Sequence, residues 1–473
     1  MSDESDSELD GPRGETIREA STLQVSTSEG FVHDTVLLKG INLPANETLT
    51  VTWRGFDGTW RMGDSGRVMG PQFRVNEEER FTVETDQSRS FKREWTVEEN
   101  FGGEHAFELW AGDVKLDTAS FHVHPHFELD RTEAPVGETF RLTGYGLGSD
   151  QRTSLYQVTW DSAYVGYMIG VMERGTATAE IRAAGPPGDH TIGVWRNYAG
   201  IPLLQNYTQT PAGDISPGRP TDWTVQVTEP DDSPPVMETE AMFPEDPNDA
   251  HIPDVEASTG SSISVEPSSG RPGTDAVVSG RGFPPSTPVE LTWFSRGGEQ
   301  FAGAPVGPAP RPDVLPDVTT DEEGTFQVDI TVPSDVGATR PIHALVDGQS
   351  VAATGFVLQP EAVDITPRSG PVGTEITVSV TGIGWQQIES AYAVLYDNKP
   401  TGYVIGDLAD EGLVEFTVQA SGEPGYHFID LVPLIHDTET ADLDLDYKPH
   451  LSYLDNHPGR LLPGIGFTFE VTN

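Results

Sequence analysis

The sequence predicts an all-β protein made of tandem β-sandwiches, and three observations carry that prediction. Short alternating strands punctuated by Gly and Pro run through its 473 residues, the signature of sandwiches and barrels. One succession of strand and turn recurs along the chain, and such a repeat means one structural unit used several times. There is no cysteine. Disulfide frameworks and thiolate-bound zinc are therefore excluded, and the cores must hold by packing alone.

The clearest copy is 263–293. Ile263 and Val265 alternate as one face of a strand. Pro267, Gly270, Pro272 and Gly273 reverse the chain. Val277 and Val278 begin a second strand, stopped by Gly280 and Gly282. Pro284, Pro285 and Pro288 mark the next turn, and VELTW at 289–293 is the third strand. Further copies lie at 363–396 and 127–160, with a weaker one at 31–53. The third strands end at Trp53, Trp160, Trp293 and Tyr396. These rings are expected as core anchors, since one of them can bury about 150–250 Å².

The motif V-x-P-x-S-G-x-x-G-T, followed by a hydrophobic strand and S/T-G-x-G-F/W, resembles immunoglobulin-like modules of the IPT/TIG and bacterial Ig-like kind. Such modules occur in tandem in haloarchaeal surface proteins and in structural proteins of halophilic archaeal viruses. The resemblance implies a fold far more than a function. At roughly 100 residues per unit, the chain divides into a disordered acidic arm over 1–20 and Ig-like domains over 21–125, 126–230, 261–359 and 360–473. An acidic, Pro-rich linker over 231–260 is expected to let the two halves move relative to one another. A Pro-rich insertion at 303–316 reads as a stiff loop.

Formal charge is −47, from 75 acidic and 28 basic residues. Lysine occurs only at Lys39, Lys92, Lys115, Lys399 and Lys448. This balance resembles that of proteins from extreme halophiles. In molar salt the Debye length falls to ~3 Å, which screens the self-repulsion. The same charge argues against nucleic acid as a partner, because that binding needs a basic footprint.

Residues 1–20 lack the basic start and apolar core of a signal peptide. No run of about 20 apolar residues occurs, so membrane insertion is not expected. Modules of extracellular type without an export address lead to a virion as the expected location, with the cell surface or secretion as the alternative.

Several stretches are candidate sites. Gly63-Asp64-Ser65-Gly66 resembles a protease nucleophile motif, but Arg67 follows it and no matching His or Asp context precedes it, so it reads as a turn. One G-x-H occurs per unit at His105, His190 and His427. A structural repeat produces that spacing, and these rings are expected to cap a strand or bond to backbone. His122 and His124 lie two apart on one strand face and are candidate transition-metal ligands; the other reading is a solvated strand end. Asp442, Asp444 and Asp446 alternate with leucine. They are candidate Ca²⁺ ligands without the glycine loop or bidentate Glu of an EF-hand, or else the polar face of a half-buried strand.

The long loop 197–220 carries Tyr198, Ile201, Leu203, Leu204 and Tyr207 and is the candidate partner-binding surface. Asn46-Glu47-Thr48 and Asn206-Tyr207-Thr208 are glycosylation sequons. The stretch YVGYMIG at 164–170 is echoed by TGYVIG at 401–406, which makes the second and fourth units the closer relatives.

No nucleophile elbow, zinc-protease helix or phosphate loop is present. The expectation is a non-enzymatic structural and interaction protein on an extracellular assembly. Its sharpest form is a virion turret, decoration protein or tail fibre of a halophilic archaeal virus. Its partners would be other subunits of the assembly, copies of itself around a symmetry axis, and a cell-surface glycan or S-layer. The alternatives are a haloarchaeal adhesin and a carbohydrate-active enzyme with Ig-like spacers.

Overall fold

Each repeat folds as a three-stranded sheet together with a sheet of five or six strands, so the chain is a set of tandem immunoglobulin-like β-sandwiches. The computed structural model describes residues 22–63, 68–150, 153–196, 200–204, 221–230, 232–240, 260–297, 307–384, 388, 390–406, 411–436, 445–459 and 462–473. They form two compact units.

The first unit comprises 22–55, Val75–Glu98 and Glu104–Val123. Its core is built around Trp53, the end of the predicted third strand. The Trp53 ring lies 4.5 Å from Phe107, 4.8 Å from Trp95 and 4.7 Å from His105, the last stacked at 5°. Leu38, Leu49, Val51 and Leu109 are fully buried beside it.

The second unit comprises Phe56–Arg74, Glu99–Gly103 and His124–Asn473, and it holds three sandwiches. In the second repeat the larger sheet orders Glu133–Pro135, Thr221–Thr228, Gly188–Arg196, Leu155–Trp160 and Ala163–Ile169. In the fourth it orders Met237–Thr239, Ile465–Val471, Gly425–Pro433, Ala391–Tyr396 and Lys399–Ile405. Trp160, Trp293 and Tyr396 end buried, as alternation along their strands requires.

Two expectations change. The described part of the 231–260 linker is not free chain: Met237–Thr239 pairs antiparallel with Ile465–Val471 and becomes an edge strand of the fourth sandwich. Part of the Pro-rich insertion is also a strand. Gly307–Arg311 pairs with Pro288–Gly297, placing Pro308 and Pro310 opposite Arg296 and Phe294. Proline is tolerated there because the strand lies at the sheet edge.

The second and fourth sandwiches share one core. Ala391, Ala393 and Leu395 pack with Phe140, Val158, Trp160 and Val165 of the second sandwich. The intervening Tyr392, Val394 and Tyr396 face the core of the fourth. Period-two alternation thus puts one strand into two cores. Each leucine buried this way contributes about 1.5–3 kcal/mol. Independent movement of these two sandwiches, expected from the linker, is replaced by fusion. The third sandwich joins the fourth through Arg311 and Glu411, 2.8 Å apart, and a Gly337 N–H to Ile383 carbonyl bond.

Candidate functional site

A concentration of buried polar groups, Ser452, Asn456, His450 and His457 among them, lies where the fourth sandwich covers an edge of the second. Ala163–Ile169 ends the larger sheet of the second sandwich, so its outward backbone groups need partners. Residues 449–452 supply them. Tyr167 N–H donates to the Pro449 carbonyl at 3.0 Å, and Leu451 N–H donates to the Tyr167 carbonyl at 2.8 Å. The Ser452 hydroxyl accepts from Ile169 N–H and donates to the Ile169 carbonyl, both at 3.0 Å. The short helix Tyr453–Asn456 follows. Asn456 then accepts from Met172 N–H at 2.9 Å and donates to the Thr176 carbonyl at 3.1 Å. Trp60 donates its indole N–H to the Asn456 carbonyl at 2.7 Å.

Two imidazoles are sealed into this junction. His450 is fully buried and stacks on Tyr167 at 4.8 Å and 10°. His457, 1% exposed, lies 5.3 Å from it. Burial holds His450 well below the ordinary histidine range, and the neighbouring His457 pushes the same way. Burial likewise lowers His457 to about 4, against a weaker opposing pull from the Leu434 carbonyl. Both rings are neutral at pH 7. His450 Nε2 lies 3.1 Å from the Ser452 hydroxyl. That hydroxyl's own proton goes to Ile169, so the imidazole donates and Nδ1 carries the lone pair. This Nδ1 has no hydrogen-bond partner among the described residues.

The second tie is Arg182. Its guanidinium meets both Asp430 oxygens from Nε at 3.0 Å and Glu238 from Nη2 at 2.6 Å. It also donates to the Gly137 carbonyl and lies over the Phe428 ring. Burial opposes the charge, but Asp430 and then Glu238 outweigh it and raise the pKa. One cation thus joins the second sandwich, the linker strand and the fourth sandwich.

Beside Arg182 lies a cleft of about 810 Å³. Arg141, the other guanidinium on its wall, is held by Glu180 at 2.7 Å. Glu240, also on the wall, accepts from the Tyr453 hydroxyl and from Gly464 N–H. Burial raises its pKa, and those two bonds oppose the rise. With both guanidiniums engaged, the wall presents mainly acceptors.

The predicted site residues are scattered. His122 bonds through Nδ1 to Glu104 at 2.6 Å, and His124 closes the strand Val114–His124. Asp446 bridges Ile435 beside the buried Leu445. Asp442 and Asp444 lie outside the described residues, as do Tyr198, Tyr207, Asn206 and Asp64 to Arg67. Ile201 and Leu204 are exposed, and Leu203 is half-buried. Among the described residues no three His, Asp or Glu side chains converge on a metal position. No described helix is long and apolar enough to cross a membrane.

The G-x-H histidines do bond to backbone, as the repeat suggests, but each also stacks on the third-strand aromatic residue. His190 lies 5.0 Å from Trp160 and His427 5.7 Å from Tyr396. Asp161 and Asp397 take their Nδ1 atoms at 2.7 and 2.6 Å, while Pro186 and Glu423 carbonyls take Nε2. Burial opposes protonation of His427. The Asp397 bond and charge, then the Glu423 carbonyl, outweigh it and raise the pKa. In the third sandwich the same register position is Arg340, two residues before Ile342, the partner of Trp293.

What sequence reading missed was the junction. A signal was present: AYAVLY at 391–396 has no charged residue on either face, the mark of a strand covered on both sides.

No protein-family model matches the chain, and no curated protein matches it. Among solved structures it is similar to Salmonella alpha-2-macroglobulin reacted with methylamine, at 11% identity and TM-score 0.18, covering 96% of this chain and 31% of that one. The chain thus spans about a third of that protein's length. It is also similar to the Escherichia coli adhesin FdeC, at 11% identity and TM-score 0.16, covering 72% of this chain and 96% of that one. A third likeness is an ICAM-5 ectodomain fragment, at 14% identity and TM-score 0.17, covering 89% and 96%. With TM-scores this low, the assignment to immunoglobulin-like sandwiches rests on the chain's own sheets.

Proposed function

We propose that the chain is a non-enzymatic structural and interaction protein displayed outside the cell, and in its sharpest form a virion component of a halophilic archaeal virus. The observation that supports this reading is the fusion of the second and fourth sandwiches. The segments added to the plain sandwich plan, Met237–Thr239 and 445–459, join modules to one another. They build a stiff scaffold, where an enzyme would use its added segments to line a reaction centre. The acidic, lysine-poor surface suits such a scaffold to molar salt.

The test is mass spectrometry on a fractionated culture of the source, separating cytosol, envelope and density-purified extracellular particles. Peptides concentrated in particles beside a major capsid protein are the expected result. Peptides confined to the envelope replace the virion with a surface adhesin. Glycan hydrolysis by the purified chain in molar salt overturns the non-enzymatic reading.

A further inference from the structure

Two pairs of buried histidines differ in what faces the ring. In His190 and His427 both nitrogens face acceptors, a carboxylate at Nδ1 and a carbonyl at Nε2. A doubly protonated ring satisfies each of those contacts. At the junction one nitrogen of each ring lacks an acceptor. His450 donates from Nε2 to the Ser452 hydroxyl, and its Nδ1 meets no partner among the described residues. His457 donates from Nε2 to the Leu434 carbonyl at 3.3 Å, and its Nδ1 accepts from Gly459 N–H at 3.0 Å. A second ring proton would therefore leave a buried N–H of His450 without an acceptor. On His457 it would set a donor against a donor.

The surroundings supply no compensating charge. Neither imidazole is drawn up by a carboxylate. The rings against His450 are Tyr167, Trp60 and His457, and burial holds Tyr167 neutral. The other titratable groups of the covering segment and its neighbours act elsewhere. Asp446 acts on Tyr167, and Lys448 lies against the Asp446 carbonyl. Asp455 faces Arg141 and Glu173. Tyr453 donates to Glu240, and His436 packs on Tyr447. Charging both junction imidazoles would also set two cations on rings 5.3 Å apart, in a buried site that salt screens little.

We propose that His450 and His457 form an acid-opened latch: their protonation releases residues 449–459 from the second sandwich and bares the Ala163–Ile169 edge, while the second and fourth sandwiches, whose own histidines face acceptors, stay folded. The bared edge offers the backbone groups of Tyr167 and Ile169 to another strand. The open state takes the two protons more readily than the closed one. Closure is therefore fully favoured above about pH 6.5 and loses its advantage as pH falls toward about 4, the closed-state value of His457. The latch operates in the same way whether the scaffold is displayed on a virion or on a cell envelope.

The test is hydrogen–deuterium exchange of the full chain in molar salt, from about pH 7 to about pH 4.5, with each amide's rate divided by its intrinsic rate at that pH. Protection at Tyr167 and Leu451, whose N–H groups close the latch, should fall by up to about a hundredfold per pH unit, the slope of two protons. Protection at Val194 and Ile429, in the cores of the second and fourth sandwiches, should hold. His450→Phe keeps a ring on Tyr167 and should reduce the fall to about tenfold per unit, the slope of one proton. His457→Phe, read in the same way, is the independent second variant and should do the same. Protection at Tyr167 that is constant with pH, or that falls together with Val194 and Ile429, overturns the proposal. An undiminished fall in both variants also overturns it. A cytosolic location found in the fractionation experiment defeats the proposed function without altering any of these results.

Discussion

The second and fourth sandwiches begin from the same hairpin and meet opposite fates. Both turn through two residues at positive φ, Asp161-Ser162 at 49° and 66° and Asp397-Asn398 at 47° and 63°, the two-residue turn that suits strand twist. Both fix a stacked histidine with the turn aspartate. Yet Tyr167 is buried where Tyr403 is exposed. Arg182 is locked in a double ion pair where its register counterpart, Gln419, is exposed. Local sequence sets the hairpin, and a segment far along the chain decides whether its edge is closed. The same strand can therefore be buried in one module and exposed in another.

The largest effect should come from breaking the tie between the twins. Arg182→Ala leaves the half-buried Asp430 without its cation and should cost up to about 3 kcal/mol. Gln419→Ala should change stability by less than about 0.5 kcal/mol. Denaturant titration in molar salt compares them directly.

Next comes the glycine pair. Gly166→Val must displace the Pro449 carbonyl and should destabilise the second unit by about 1–3 kcal/mol. Gly402→Val meets nothing within 4 Å among the described residues and should leave the melting temperature unchanged or slightly raised, since valine suits a strand.

A further contrast lies in pH. The folded pKa values of His450 and His457 are depressed, so the unfolded state binds more protons as pH falls from about 6.5. Their contribution is full above that value and is lost as pH falls toward about 4, the folded pKa of His457. His427 acts oppositely, because its folded pKa is raised. Its contribution is full below about 6.5 and is lost as pH rises through the folded value. Melting temperature followed against pH should therefore fall on the acid side, and His450→Phe, which keeps a ring on Tyr167, should flatten that fall. A smaller loss than these is expected at Asp397, whose replacement by Asn keeps a hydrogen bond but removes its charge. It should cost about 1 kcal/mol and abolish the raised titration of His427, read by NMR.

The sandwich fold was legible because its determinants are local. Strand alternation, Gly and Pro turns and one aromatic anchor per repeat each occupy a few neighbouring residues. The anchors Trp53, Trp160, Trp293 and Tyr396 are buried as read. The junction was hidden because its partners lie far apart, with His450 meeting Tyr167 and Asn456 meeting Met172. No periodicity reports that pairing. The two-faced apolar strand at 391–396 announces a cover without naming it.

Hydrogen–deuterium exchange in molar salt, resolved at the amides of Tyr167 and Tyr403, tests the central comparison most directly. The closed edge predicts slow exchange at Tyr167, whose N–H is bonded to Pro449, and fast exchange at Tyr403. Equal protection of the two amides, or rapid exchange at Tyr167, would contradict it.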